Sequence, residues 1–249
     1  SSDLNAKFEA NNLSEALVEA GPFRLIQAIF QAVKPTFGFE LHVDSDFPIG
    51  SGLGGSATVS TAILGCFNEV RKDKWSPHEI AEIAYQAERI HLGISGGWQD
   101  QYAAVFGGFN FIEFNKKENV VLPLKLNSET MLELEESLVL CDTSIAHDSD
   151  LIHKNQKRAL SSEKVQELVK QNVSIAYSIR DNLLKGNLLE FGNWLNSSWM
   201  LKRNFSDIIS DSYFDSIYDG ALKNGAVGGK LLGAGGGGFF IFYAPPFQK

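Results

Sequence analysis

The residues with the most chemical potential lie in one run, Pro48-Ile49-Gly50-Ser51-Gly52-Leu53-Gly54-Gly55-Ser56-Ala57, between an expected strand and an expected helix. Glycines let a backbone close on an anion and turn its N–H groups inward, and a following helix brings its positive end to the same place. The run reads as a phosphate cradle; its bland alternative is a tight strand-to-helix turn with no ligand. Gly50, Gly52 and Gly55 also fit G-x-G-x-x-G, so a dinucleotide fold and a protein kinase both have to be weighed. A dinucleotide site wants an acidic residue ending a second strand about twenty residues on. Here the helix runs into Asn68-Glu69-Val70-Arg71-Lys72-Asp73 with no strand to follow. A protein kinase would continue as a strand and later carry H-R-D and D-F-G, which are absent, and no G-K-[ST] supports a Walker loop.

A second glycine run, Gly228-Gly229-Lys230-Leu231-Leu232-Gly233-Ala234-Gly235-Gly236-Gly237-Gly238, leads into an expected strand, Phe239 to Tyr243. Within it, Gly233-x-Gly235-x-x-Gly238 enters a strand with no helix end behind it and reads as a backbone turn, and Lys230 taken alone as either a site residue or a surface charge. Twenty-two Lys plus Arg against thirty Asp plus Glu leave a net charge of −8. That balance speaks against nucleic acid or a membrane surface as a partner, while leaving room for a local basic pocket that holds a small anion. Cys66 and Cys141 stand far apart with no C-x-x-C, so a reduced, intracellular and hence cytoplasmic protein is the simplest expectation. The stretch from Ala226 to Ala244 carries Lys230 and too many glycines for a spanning helix. Ser1-Ser2-Asp3-Leu4 has neither a basic nor an apolar leader region, and the missing initiator Met hints at a processed or partial chain.

These residues need elements to hold them. Leu13, Leu17, Ile26, Ile29, Phe30 and Val33 follow helical spacing interrupted at Gly21-Pro22, which predicts two helices. Phe37 to Phe47 alternates as a strand with Phe39, Leu41 and Val43 inward. Ser56 to about Val70 is a mostly apolar, buried helix. Ser76-Pro77-His78-Glu79 is a capping box with proline at the first helical position, opening an amphipathic helix to about His91. Phe109 to Phe114 and Val120 to Leu126 predict paired strands. The acidic stretch from Ser128 to Glu136 is an expected domain junction. Ser137 to Cys141 predicts a buried strand, and Asp150–Leu160, Ser162–Lys185, Leu188–Leu201 and Ser212–Asn224 predict helices. The class is α+β.

Three stretches, in chain order, resemble a known family. Pro48 to Ala57 resembles the second motif of the GHMP kinases, the superfamily of galactokinase, homoserine kinase, mevalonate kinase and phosphomevalonate kinase. Gly97-Trp98-Gln99-Asp100-Gln101-Tyr102-Ala103-Ala104-Val105-Phe106-Gly107-Gly108 resembles the segment with the catalytic aspartate, and Lys230 to Gly238 the third motif. Among family members, the last two blocks are most similar to the D-glycero-D-manno-heptose 7-phosphate kinases.

The resemblance implies two domains, an N-terminal α/β domain over residues 1–127 and a ferredoxin-like α+β domain over 128–249. It implies ATP and Mg²⁺ as cofactors. The ATP phosphates would lie along Gly50, Ser51, Gly52, Leu53, Gly54, Gly55 and Ser56, with the Ser56 hydroxyl on the metal. Glu88 would be the second metal ligand; on its helix it shares a flank with Ala81 and Ala84, where a carboxylate can approach a loop. Asp100 would orient or deprotonate a sugar hydroxyl attacking the γ-phosphorus, the kind of positioning that phosphoryl transfer demands. The plain alternatives are an N-cap for Ser56, a solvated residue for Glu88 and an N-cap of the following helix for Asp100. Lys230, Gly233, Gly235 and Gly236 would form a turn against the phosphate loop and the substrate.

The implied reaction is phosphorylation of a sugar or sugar phosphate, foremost heptose 7-phosphate to the 1,7-bisphosphate. L-fucose or galactose, or non-catalytic nucleotide binding, are the alternatives, and the oligomeric state is open between monomer and homodimer. The chain departs from the family at Ser144 and His147, where a glycine and an arginine are common. It also shows no first motif in residues 1–34 and stops soon after Pro245-Pro246, so a partial or divergent chain is expected.

Overall fold

In this computed structural model residues 23–45, 52–115, 117–145 and 149–246 are described. The chain divides into two compact units: Ser1–Ile49 with Gly54–Leu122, and Gly50–Leu53 with Pro123–Lys249.

In the first unit, α1 (Arg24–Val33), α2 (Gly55–Val70) and α3 (Pro77–Gln86) share one core. Ile29 and Phe30 of α1 meet Ile63, Leu64 and Phe67 of α2 and Ala84 of α3. Ser76 starts α3 as its sequence requires. Its hydroxyl accepts from Glu79 N at 3.3 Å, while the Glu79 carboxylate accepts from Ser76 N at 2.7 Å and is held below its ordinary pKa by those bonds. Past Gln86 the helix widens into one π turn, Ala87–His91, before the chain reaches α4 (Gln99–Phe106). β1 (Asn110–Phe114) and β2 (Asn119–Pro123) pair into a two-stranded sheet.

One expectation fails here. Residues 37–45 make no strand: no ladder joins them to another strand among the described residues. Phe39 and Val43 each remain 43% exposed, not inward. The aromatic residues of this run act as a clamp instead: Phe39 sets its ring edge-on to Phe30 and Phe67, at 5.2 and 5.1 Å between centroids. The expected helix over residues 13–20 and the strand end at Phe47 lie outside the described residues.

The second unit holds α5 (Ser128–Ser137), β3 (Leu138–Asp142), α6 (Ser149–Ala159), α7 (Glu163–Leu184), α8 (Leu188–Lys202), α9 (Ser212–Lys223), β4 (Gly228–Leu231) and β5 (Phe239–Tyr243). The sheet order is β3-β5-β4, antiparallel throughout, with Leu138 and Gly228 both opposite Tyr243. Trp199, Tyr218, Leu231, Phe240 and Phe242 make its main core, and Leu134, Leu183, Phe191, Leu195 and Tyr243 a second one. The acidic stretch expected as a junction is α5, because Asn127 caps it through Thr130 N and its Thr130, Leu134 and Ser137 face inward. Gly228 to Leu231 is a strand, β4. A Cβ on Gly228 would fall 2.2 Å from the Gly192 carbonyl oxygen, so glycine there lets α8 lie directly on the sheet. Helices over a two-stranded and an antiparallel three-stranded sheet make the class α+β.

Candidate active site

Of the cradle, Gly50 and Ser51 lie outside the described residues. Gly54, at φ +76°, is the N-cap of α2 and offers no side chain to its amides. The first amide to bond back is that of Thr58, to Gly54 O at 2.9 Å. The start of α2 is thus a set of forward-pointing N–H groups at the positive end of a 16-residue helix. Ser56 is the second helical residue, so the N-cap alternative for it falls.

The Ser56 hydroxyl donates to Glu88 Oε2 at 2.9 Å. Glu88 belongs to the π turn and is 3% exposed, so it is no solvated surface residue. Its other oxygen accepts from Gln101 Nε2 at 2.9 Å, and the Arg89 guanidinium stands 3.9 Å from Oε2. These two oxygens suit Mg²⁺. Neighbouring ligands of an octahedral ion with bonds near 2.05 Å lie about 2.9 Å apart, the spacing of the Ser56 and Glu88 oxygens. Among the described residues no three His, Cys, Asp or Glu side chains gather as a cage. A Mg²⁺ ion that takes its remaining ligands from waters and nucleotide phosphates needs none.

Asp100 lies in the first turn of α4, whose N-cap is Trp98, so Asp100 caps nothing. A Cβ built on Gly54 would lie 3.7 Å from Asp100 Cβ and 3.8 Å from Cγ, which puts the aspartate side chain beside the start of α2. α4 is held firmly. Tyr102 donates to Glu82 Oε1 at 2.6 Å, Asn119 reaches the same oxygen at 3.1 Å, and Trp98 stacks on Tyr85 at 4.4 Å. Burial, then the bond to Glu82, pushes the Tyr102 phenol up to about 12, so it stays a donor.

In the second unit the later glycine run is a turn fastened from several sides. Gly236 N donates to Ile209 O and Gly238 N to Ile145 O, each at 3.0 Å. Gln156 donates to Ala234 O at 2.8 Å. Gly235 and Gly236 press on Ile209 and Ile152. A Cβ on Gly233 would meet the Gly52 carbonyl oxygen at 3.0 Å, so this turn lies against the described start of the cradle. Lys230 sits in β4, partly buried, and burial lowers its pKa, so it is no free surface charge. Lys202, which the sequence patterns did not single out, donates to Leu231 O at 3.0 Å and Gly233 O at 2.6 Å. Burial, and then Lys230, brings its pKa down to about 7. Ser144 adopts φ +56°, the left-handed conformation that suits the glycine common there, with Asp142 accepting from its amide at 2.8 Å. His147 lies outside the described residues.

Gln101 and Lys202 are the two residues missed from sequence. The one available signal was a polar residue at the edge of an apolar run, Gln101 before Tyr102-Ala103-Ala104-Val105 and Lys202 after Trp199-Met200-Leu201.

The chain matches the family described as GHMP kinases N terminal domain over residues 22–108, and GHMP kinases C terminal over residues 179–248. It belongs to the GHMP kinases, which are ATP-dependent phosphotransferases. Within that family it is 37% identical over 255 residues to the D-glycero-alpha-D-manno-heptose 7-phosphate kinase of Campylobacter jejuni, across 100% of this chain and 75% of the relative. Two solved structures are similar. A D-glycero-D-manno-heptose 1-phosphate kinase from Bacteroides thetaiotaomicron is 30% identical at TM-score 0.66, covering 97% of this chain and 67% of that one. A putative sugar kinase from Campylobacter jejuni is 36% identical at TM-score 0.71, covering 92% and 68%. Among the described residues no helix is long and apolar enough to cross a membrane.

Proposed function

We propose that this chain transfers the γ-phosphoryl group of ATP to the anomeric hydroxyl of a heptose 7-phosphate, giving the 1,7-bisphosphate and ADP. The observation that carries it is the Ser56–Glu88 oxygen pair at the start of α2, with Asp100 beside Gly54. The residues from Gly50 to Ser56 cradle the phosphates through backbone N–H groups and the helix end. Ser56 and Glu88 would hold Mg²⁺, which when bound offsets charge on the phosphate oxygens. Asp100 orients the sugar hydroxyl and accepts its proton as the sugar oxygen bonds to the γ-phosphorus. The bond from phosphorus to the β–γ bridging oxygen breaks, and its electron pair leaves with ADP. The third-motif turn, with Gly233, Gly235 and Gly236 after Lys230 of β4, backs the cradle where Gly233 meets Gly52. The heptose 7-phosphate is preferred because the relative of that name matches the whole chain. Free cysteines and an ATP-dependent reaction suit a cytoplasmic setting.

The test is ADP release with Mg²⁺-ATP and heptose 7-phosphate, heptose 1-phosphate, L-fucose and galactose in parallel. Turnover on the 7-phosphate, reduced about a thousandfold by Asp100→Ala with ADP affinity kept, is expected. Preferred turnover on another sugar would replace the substrate. ADP binding with no turnover on any of them would leave a nucleotide-binding protein.

A further inference from the structure

Gln101 is completely buried, yet among the described residues its side chain makes a single bond, from Nε2 to Glu88 Oε1 at 2.9 Å. Its own oxygen is buried with no partner among the described residues. A Leu or Met would fill the same space with no such loss, so packing alone does not account for an amide here. Glu88 explains it. The carboxylate hangs from a π turn, a wider and locally irregular piece of helix often found at functional sites. Ser56 on one oxygen and Gln101 on the other fix its rotation. A neutral amide orients the carboxylate without adding to the charge that Arg89, 3.9 Å from Oε2, already sets against it, whereas a lysine or arginine at hydrogen-bond distance would compete more closely with a cation.

Gln101 also follows Asp100 directly, about 100° further round the first turn of α4. One turn of helix therefore sets the aspartate beside Gly54 and the amide on Glu88. We infer that Gln101 is a positioning residue: it aims Glu88 for metal binding and ties the place of the metal to that of Asp100. This rests on the Mg²⁺-ATP reading above.

The test is Mn²⁺ binding in the presence of ADP, followed by electron paramagnetic resonance of the free ion, on the full chain without turnover. Gln101→Met keeps the side chain's length and removes the donor. It is expected to weaken Mn²⁺ binding about tenfold, in the range for residues that orient metal ligands, while the thermal midpoint stays the same or rises. In a Glu88→Gln background the further loss from Gln101→Met should vanish, because the amide then has no carboxylate to aim. Under turnover, the Mg²⁺ concentration for half-maximal rate should rise more than kcat falls. If the Met variant does not fold, Gln101→Asn retains the amide one methylene short of Glu88 and carries the same expectation. Unchanged Mn²⁺ affinity in a folded variant, or a loss that persists beside Glu88→Gln, overturns the role of Gln101 and leaves the kinase reading standing. Absence of Mn²⁺ binding to the unaltered ADP complex overturns both.

Discussion

Two glycine runs of similar composition do opposite work in this protein. Gly52 to Gly55 ends in a helix, and the amides at that helix start have no side-chain cap and point forward. Gly233 to Gly238 ends in a strand, and its Gly236 and Gly238 amides are engaged by Ile209 and Ile145. The first run leaves its helix-start amides without a side-chain cap, as the proposed phosphate binding would need; the second uses the absence of Cβ atoms to pack between isoleucines and against Gly52. Glycine density alone does not distinguish the two. The element that each run enters, and the groups that accept its amide hydrogens, decide between them.

The most damaging substitution for function should be Gly54→Val. A Cβ has ordinary room beside Asp100, so the chain still folds, but φ +76° disfavours a branched residue and the side chain intrudes where phosphate oxygens belong. ADP affinity should fall about a hundredfold, roughly 2.7 kcal/mol, by titration calorimetry. Retained affinity would make both runs structural and dissolve the contrast.

Gly236→Ala tests the other side. Its Cβ would meet Ile152 Cδ1 at 2.7 Å and Ile208 O at 3.0 Å, at φ +69°. Stability should drop by about 3 kcal/mol in urea unfolding, with ADP affinity of the folded fraction nearly unchanged.

Lys202 sharpens the comparison through pH. Its folded-state pKa of about 7 lies well below the ordinary lysine value, so between the two the unfolded chain binds more protons. This group therefore costs stability in full below about pH 7, and the cost is relieved as pH rises toward about 10. A neutral amine still has two hydrogens for the Leu231 and Gly233 carbonyls. Urea unfolding across that range should show a rising contribution that Lys202→Met abolishes; an equal slope in both proteins would show that Lys202 is not its source.

The smallest effect belongs to Ser144, a left-handed residue without glycine's freedom, next to the carbonyl of Ile145 that holds Gly238. Ser144→Gly should stabilise by about 0.5 kcal/mol, the relief of strain less the added freedom of the unfolded chain, read as a higher thermal midpoint.

Much of this was legible in the residues. The capping box at Ser76 and the apolar periods of α2, α7, α8 and α9 are local signals, and each produced the element it announced. Where pairing mattered the pattern was a poor guide: residues 37–45 alternate like a strand yet join no sheet among the described residues, and nothing in the pattern announced that Gly228 to Leu231 would pair with β5. Of the site, Ser56, Glu88 and Asp100 were named from motif resemblance, and the structure adds that Ser56 meets Glu88 and that Asp100 lies beside Gly54. Gln101 and Lys202 were invisible, since their partners lie 13 and about thirty residues away, at distances no local pattern reports.

The order of residues by itself determined most of the helices, the cap at Ser76, the acidic balance and the places where glycine frees the backbone, because these depend on neighbours within a few positions. Tertiary structure alone decided which described glycine amides are engaged, that a buried amide should grip Glu88, and that burial, then Lys230, should lower the pKa of Lys202. Those outcomes depend on which atoms remain near one another once solvent is excluded, and sequence spacing carries no measure of that.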